Sequence, residues 1–207
     1  MNPILVAGLD PAFAHFGIAR MWLNLETPNL TFDRFRTIST EKLAGRRKMI
    51  RQNSDDLRRA RELHAGLHEE LKGCTVAFAE IPSGAQAARA SYGFGAAVGV
   101  LASIQIPLFQ VMPLETKKGS VGNPKADKPE IISWAAGHYP EAPWQLYDRD
   151  TKGKGGKILN RKGDLHLDNE HVADAIAIVH AGMHLQEFKQ LLAMLKIGAP
   201  TQQTINT

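Results

Sequence analysis

Apolar residues come first in short unbroken runs and only later at helical spacing. "PILVAGLD", residues 3–10, reads as a central strand covered on both faces. "FGIARMWLNLE" and "NLTFDRFRTIS" follow closely, with the turn-forming "ETPN" between them, so strands one to three are expected as an antiparallel meander. Residues from about Thr40 to Asn53 are polar and basic. A helix is then expected with Asn53 or Ser54 as its cap and Asp55 and Asp56 in its first turn. Leu57, Ala60, Leu63, Leu67 and Leu71 form its predicted apolar stripe, and Gly73 ends it.

"CTVAFAEIP" is the next strand, with Glu80 near its end and Pro82 stopping it. "GAQAARASYGFGAAVGVLASIQ" reads as a helix rich in small residues, whose Ala85–Leu101 face suits close packing on the sheet or on a second copy of the chain. "PLFQVMP" is another strand and "ADKPEIISWAAGHY" a short helix. Pro140 to Leu167 shows little periodicity and reads as a long loop, with a short hairpin around "GKILNRKGDLHL". The last helix begins after Asp168 or Asn169, breaks near Gly182 and resumes as "HLQEFKQLLAMLK". The order predicts a mixed α/β sheet with helices on its faces. One domain over residues 1–197 is expected, with a basic insertion at about 140–168 and a frayed tail over 198–207.

Within "NEHVADAIAIVHAG", nearly everything after Asp174 is apolar and small, as in a helix covered on most of its circumference. A carboxylate at the head of such a helix is costly unless it is paired or holds a metal. Asp174 is therefore a capping or ion-pair residue, or part of a site.

Composition narrows the classes. Of 207 residues, 43% are hydrophobic, enough for a full core. No apolar run approaches the ~20 residues of a membrane span, so no membrane partner is expected. The N-terminus lacks the basic n-region of a signal peptide, and the expected setting is the cytoplasm of a bacterium or of a virus-infected cell. Cys74 is the single cysteine, which fits a reducing compartment and argues against a structural zinc site.

The net charge of +4 is modest, but its distribution is uneven. Lys42, Arg46, Arg47, Lys48, Arg51, Arg58, Arg59 and Arg61 face only Asp55 and Asp56. A second basic segment, "DRDTKGKGGKILNRKG", carries Arg149, Lys152, Lys154, Lys157, Arg161 and Lys162. Two such segments suggest a polyanionic partner, although solvated faces read the same way.

Asp10 closes the first strand and Glu80 the fourth, and in open α/β sheets sites form at strand ends. If those strands are parallel neighbours, the two acids lie side by side. Asp174 packs over the same sheet edge, and His171, three residues earlier, shares its helix face. Carboxylates this close repel unless a cation intervenes, and hard oxygen donors suit Mg²⁺ or Mn²⁺. Two such ions roughly 3.5–4 Å apart are common machinery for phosphodiester cleavage.

"AGLDPAFAHFGIA", "VAFAEIPSGAQAARASYGFGAAVG" and "HVADAIAIVHAG" resemble the three acidic motifs of RuvC-type Holliday-junction resolvases, of the ribonuclease H-like nuclease superfamily. The likeness covers roughly residues 4–135 and 169–182. It implies a ribonuclease H-like five-stranded mixed sheet, with strands 1–3 as an antiparallel meander followed by parallel strands. It implies Asp10, Glu80 and Asp174 as metal-binding carboxylates, with His171 as a fourth ligand. Two Mg²⁺ per site are implied, with Mn²⁺ as a substitute and no small-molecule cofactor. The family's two lysines, eleven apart around a V-G, fall on Lys117 and Lys128, with Lys118 as a stand-in for Lys117. A lysine there offsets charge developing on the phosphate. Arg46, Arg47, Lys48, Arg51, Lys118, Lys125, Lys152, Lys154, Lys157, Arg161 and Lys162 are the expected DNA-binding residues.

The implied activity is a crossover junction endodeoxyribonuclease, a homodimer that resolves four-way junctions by paired symmetric nicks. The chain departs from the pattern at Ser83, where the family often carries an aromatic. The 140–167 segment is longer than the family's usual link. It suits a flexible phosphate-binding arm or a disordered insertion. The same catalytic residues also serve a nuclease acting on flaps, forks or RNA–DNA hybrids, and an inactive DNA-binding protein is the remaining alternative. An actin-like ATPase or sugar kinase fits poorly, because "DPAFAHFG" lacks the early glycine of a phosphate-holding turn.

Overall fold

The computed structural model describes residues 2–43, 51–82 and 87–198. Its sheet holds β1 (Ile4–Asp10), β2 (His15–Leu23), β3 (Leu30–Ser39), β4 (Cys74–Glu80) and β5 (Leu108–Val111) in the order β3-β2-β1-β4-β5. β1, β2 and β3 form the expected antiparallel meander. β4 joins β1 in parallel, and β5 joins β4 the same way. The helices are α1 (Gln52–Glu70), α2 (Ala88–Ala102), α3 (Pro113–Gly119), α4 (Lys128–His138), α5 (Glu170–Gly182) and α6 (Gln186–Gly198).

Strand alternation divides the core in two. Leu5, Ala7 and Leu9 of β1 join Ala77 and Ala79 of β4 beneath Leu63 and Leu67 of α1 and Val100 and Leu101 of α2. On the other face, Val6, Val76 and Phe78 pack with Ala173–Val179 of α5, Ile131 and Ile132 of α4, and Phe188 of α6. α5 lies on β1 and β2 and is itself covered by α3 and α4. Coverage from both sides explains why it is apolar nearly all round rather than along one stripe.

Two glycines let α5 settle onto the sheet. A methyl group on Gly8 would stand 2.0 Å from the carbonyl oxygen of Ala175. One on Gly17 would stand 2.1 Å from the carbonyl oxygen of His171. Backbone therefore meets backbone at both positions, one on each of the strands that flank Asp10.

Four sequence expectations change. The predicted α1 stripe fails in its first two turns, where Asp55, Asp56 and Arg59 are buried and Leu57 is 52% exposed. A polar network replaces the apolar contact there. Arg59 lies 4.2 Å over the Phe13 ring and donates to Thr40 Oγ1 at 3.1 Å and to the Phe13 carbonyl at 3.2 Å. Arg89 of α2 makes a two-pronged contact with Asp56 at 2.6 and 2.5 Å. Neither Asn53 nor Ser54 caps α1, which starts one residue after Arg51 and has no side-chain cap.

The third change is α3, in a segment where the sequence pattern predicts no element. Pro113 at its start and the Glu115 carboxylate, which accepts from the Met112 N–H at 2.8 Å, build that helix. The fourth is the hairpin within 140–167. It pairs β6 (Thr151–Lys152) with β7 (Ile158–Asn160) instead of lying within Gly156–Leu167, because Gly155 and Gly156 take positive φ and form the turn. α2 begins at Ala88; Ser83, Ala85 and the tail from 199 lie outside the described residues. Among the described residues no helix is long and apolar enough to cross a membrane.

The close approach generates a stability test. Gly8→Ala and Gly17→Ala are each expected to lower the unfolding free energy by about 1–3 kcal/mol or more in urea denaturation. Gly137→Ala, inside α4 with nothing within 4 Å of the added carbon, should be neutral or stabilising. Equal stability for all three variants would refute backbone contact between α5 and the sheet.

Candidate active site

The parallel register of β1 and β4 pairs Leu9 with Ala79, so Asp10 and Glu80 follow side by side at the carboxyl ends of the two strands. α5 starts over the same edge. Its first turns present His171 and Asp174, and His171 Nδ1 lies 2.8 Å from Asp10 Oδ2. Its Nε2 lies 3.4 Å from Glu170 Oε1. Both ring nitrogens thus face carboxylates. The Asp10 hydrogen bond, with the charges of Asp10, Glu170 and Asp174, raises the His171 pKa above its ordinary value against the opposing effect of burial.

The acids are shifted upward as well, which for a carboxyl favours the neutral form. Burial, and then the negative charges of Asp10 and Glu80, push Asp174 up to about 7, with His171 opposing. Glu80 is also raised, first by burial and then by Asp10. A hydrogen bond from Thr116 Oγ1 and the charge of Lys117 partly restore its ionised form. Near neutrality Asp174 therefore keeps a share of a proton that an ordinary carboxylate has lost.

Lys128 is the first residue of α4. Asp127 and Glu130 cap that helix reciprocally, at 3.0 and 2.8 Å, and hold its start. The Lys128 ammonium is ion-paired with Glu170, and Asp174 and Asp10 add to the field that keeps it charged. Lys117 sits on α3 and donates to the Ala126 carbonyl at 2.8 Å, with its charge acting on Glu80. Lys118 instead lines a groove with Phe109, Met112 and Leu185, so of the two neighbouring lysines Lys117 is the one directed at the acids.

The remaining basic candidates lie elsewhere. Arg46, Arg47 and Lys48 are outside the described residues. Arg51 and Lys125 are exposed. Lys152, Lys154, Lys157, Arg161 and Lys162 are exposed on the segment that carries β6 and β7.

Three residues around the cluster were not singled out from the sequence for this role. Thr116 is buried against Glu80. Glu170 bridges Lys128 and His171. His15 stacks on His171 with ring centres 5.4 Å apart, and its Nδ1 lies 3.2 Å from Ser39 Oγ. Only Glu170 carried a signal, as the acid directly before His171. His180, treated as ordinary, is buried with Nε2 at 2.7 Å from the Tyr139 hydroxyl, and burial pushes its pKa down to about 4.

The donor chemistry fits a hard divalent cation. The oxygens of Asp10, Glu80 and Asp174 share one sheet edge, and among the described residues their mutual repulsion is relieved by a retained proton, His171, Thr116 and the two lysines. Among the described residues no three His, Cys, Asp or Glu side chains are arranged to hold an ion by themselves. Mg²⁺ commonly binds in that way, through one or two carboxylates with water and substrate phosphate completing its shell.

Two solved structures are similar to this fold. One is "T. thermophilus RuvC in complex with Holliday junction substrate", 18% identical, with a TM-score of 0.57 over 86% of this chain and 92% of that one. A second is Thermus thermophilus RuvC, also 18% identical, with a TM-score of 0.59 over 90% and 97%. The chain has the RuvC fold. Its five-stranded mixed sheet is thus the ribonuclease H-like sheet expected from the acidic motifs. No family model and no curated protein matches the chain.

The Asp174 shift has a stability consequence within this RuvC fold. Its folded pKa lies above the unfolded one, so its contribution is fully present below pH ~4 and is lost as pH rises through about 7. In EDTA, Asp174→Asn should match the parent near pH 4 and exceed it at pH 8, by up to about 4 kcal/mol. Denaturant unfolding at the two pH values measures this. A variant less stable than the parent at pH 8 would show that the carboxylate is not under strain.

Proposed function

We propose that this chain is a metal-dependent endonuclease that cuts branched DNA, resolving four-way junctions by paired symmetric nicks. The observation that carries the reading is the convergence of Asp10, Glu80 and Asp174 at the carboxyl ends of β1 and β4, with Asp174 and Glu80 both shifted toward their neutral forms. Two further observations support it. The fold is that of RuvC, and one of the similar RuvC structures holds a Holliday junction substrate. The cluster is also flanked by two cations, Lys117 and Lys128, placed by separate helices.

Asp10, Glu80 and Asp174 would hold Mg²⁺, with Mn²⁺ as a substitute. Bound there, the ions polarise the scissile phosphate and make water a competent nucleophile near neutral pH. The protein's own groups do the rest. Asp10 and Glu80 take their positions from paired strands, so their separation is set by backbone hydrogen bonding rather than by loop conformation. Asp174 gives up its proton when positive charge arrives. His171 holds Asp10 in one orientation through Nδ1 and, as placed, serves as a counter-charge. To act as a ligand it would have to be neutral and bind through Nε2, turned away from Glu170, and the Nδ1 bond to Asp10 could then stay. Lys128, held in its charged form by Glu170, and Lys117 beside Glu80 offset the negative charge that develops on the phosphate oxygens. Cleavage leaves 5′-phosphate and 3′-hydroxyl ends. Paired nicks need two such sites, so the reading includes a homodimer, with the exposed side of α2 around Tyr92 and Val98 as its candidate surface.

A labelled synthetic four-way junction, with duplex, flap and RNA–DNA hybrid controls, tests this in Mg²⁺, Mn²⁺ and EDTA. Paired nicks that need metal are expected on the junction. Asp10→Asn and Asp174→Asn should each lower the rate by at least about 100-fold, and Lys128→Ala by about 10-fold or more. Cleavage confined to hybrid or flap would overturn the substrate, and unimpaired cleavage by Asp10→Asn would overturn the site.

A further inference from the structure

We propose that the segment from Gln145 to Asn169 is a preformed two-stranded arm that enters the major groove of duplex DNA beside the cleavage site. The proposal rests on the nuclease reading above and deepens it by naming how the chain grips a duplex arm of its substrate. The sequence leaves this segment open between a flexible phosphate-binding arm and a disordered insertion, and the structure pairs its two sides into a ribbon. Leu146 bridges Leu165, the Tyr147 N–H donates to the Asp164 carbonyl at 2.9 Å, and the Gly163 N–H returns to the Tyr147 carbonyl at 2.9 Å. Further out, Thr151 pairs with Asn160 and Lys152 with Ile158, and the Gly153 N–H donates to the Lys157 carbonyl at 2.9 Å. The rings of Tyr147 and His166 pack with centres 4.3 Å apart near the base.

The base is tied to the helix that carries His171 and Asp174. Buried Asn169, directly before α5, accepts from the Gln145 N–H at 3.0 Å and donates to the Gln145 carbonyl at 2.8 Å. A load on the arm is therefore transmitted to the first turn of α5.

Charge points to the occupant. Arg149, Lys152, Lys154, Lys157, Arg161 and Lys162 are exposed, and none of them forms an ion pair among the described residues. Two of the arm's four acids bond its backbone. Asp150 accepts from the Lys162 N–H at 2.9 Å and Asp164 from the Arg161 N–H at 2.6 Å. The basic side chains around α1 differ, because Arg58 is bound to Asp55 and Glu62, and Arg59 is buried. The two basic segments look alike in sequence, yet the arm has unpaired cations while these α1 arginines serve the fold.

A two-stranded ribbon fits the B-DNA major groove, about 12 Å wide, whereas the major groove of duplex RNA is deep and too narrow for side chains to read. Ile158 and Leu159 are 43% and 64% exposed, apolar side chains suited to base edges and thymine methyls rather than to water. The lysines on either side then reach the flanking phosphates.

The test uses the full chain, with fluorescence anisotropy of a labelled duplex DNA, a duplex RNA of the same sequence and a four-way DNA junction, in EDTA from 50 to 200 mM KCl. Lys152→Gln/Lys154→Gln/Lys157→Gln should bind duplex DNA and junction at least about tenfold more weakly, and its slope of log K against log salt should be shallower by about 2–3, near 0.9 per lost phosphate contact. Lys72→Gln/Lys189→Gln, which removes charge just past the end of α1 and on α6, should leave the slope unchanged. Equal melting temperatures would show that the triple variant folds. Parent and variant are also assayed for Mg²⁺-dependent junction cleavage. A parent that cuts DNA beside a triple variant with unchanged affinity and slope would overturn the arm and leave the nuclease reading standing. Equal loss on duplex RNA would overturn the groove assignment. A parent that neither binds nor cuts DNA would overturn both.

Discussion

Everything in the candidate site depends on how closely α5 lies on the sheet. Gly8 and Gly17 offer no side chains, so the carbonyls of Ala175 and His171 rest where methyl groups would otherwise stand. That contact sets both the height and the rotation of the helix. With the carbonyl of His171 over β2, its imidazole reaches Asp10 at the end of β1, and Asp174 comes to lie within the field of Asp10 and Glu80. The apolar character of α5 follows from the same arrangement, since α3 and α4 cover the side turned away from the strands. A carboxylate heads this helix because the helix's purpose in the fold is to carry it to the sheet edge.

Such an arrangement is electrostatically costly, and the structure shows how the cost is distributed. Asp174 and Glu80 hold protons more tightly than usual, while His171 and Lys128 are drawn further toward their charged forms. The positive groups are held by separate devices: a strand-end hydrogen bond for His171, a reciprocal cap and Glu170 for Lys128, and the Ala126 carbonyl for Lys117. None of them neutralises the acids fully. Uncompensated oxygen donors at a strand edge, beside cations that stay charged, form an environment suited to a divalent ion and a phosphodiester.

Much of this was legible in the sequence. The continuous run 3–10 and the alternating strands after it predicted the meander, and "CTVAFAEIP" placed Glu80 beside Asp10 once the two strands were taken as parallel. The H-x-x-D spacing put His171 and Asp174 on one helix face. Three things were not legible, each for a physical reason. Leucine spacing misplaced the inner face of α1 because buried Asp56 and Arg59, with Arg89 closing over Asp56 from α2, outweigh one leucine, and periodicity counts only apolar residues. α3 was hidden because two adjacent lysines masked a short helix whose one buried residue is Thr116. The arm looked shapeless because its order comes from backbone pairing across a glycine turn and from Asn169, which leave no apolar pattern. The roles of Glu170 and Thr116 are likewise set by tertiary contact alone.

The central claim is that α5 assembles a carboxylate cluster that exchanges its retained proton for a divalent ion. Isothermal titration of Mn²⁺ into the full chain, repeated in buffers of different ionisation enthalpy, measures binding and proton release together. Saturable binding is expected, with a proton released near pH 6.5 and progressively less by pH 8.5, as Asp174 ionises on its own through about 7. Asp174→Asn should abolish the pH-dependent release. Absence of binding, or the same proton release in Asp174→Asn, would contradict the account.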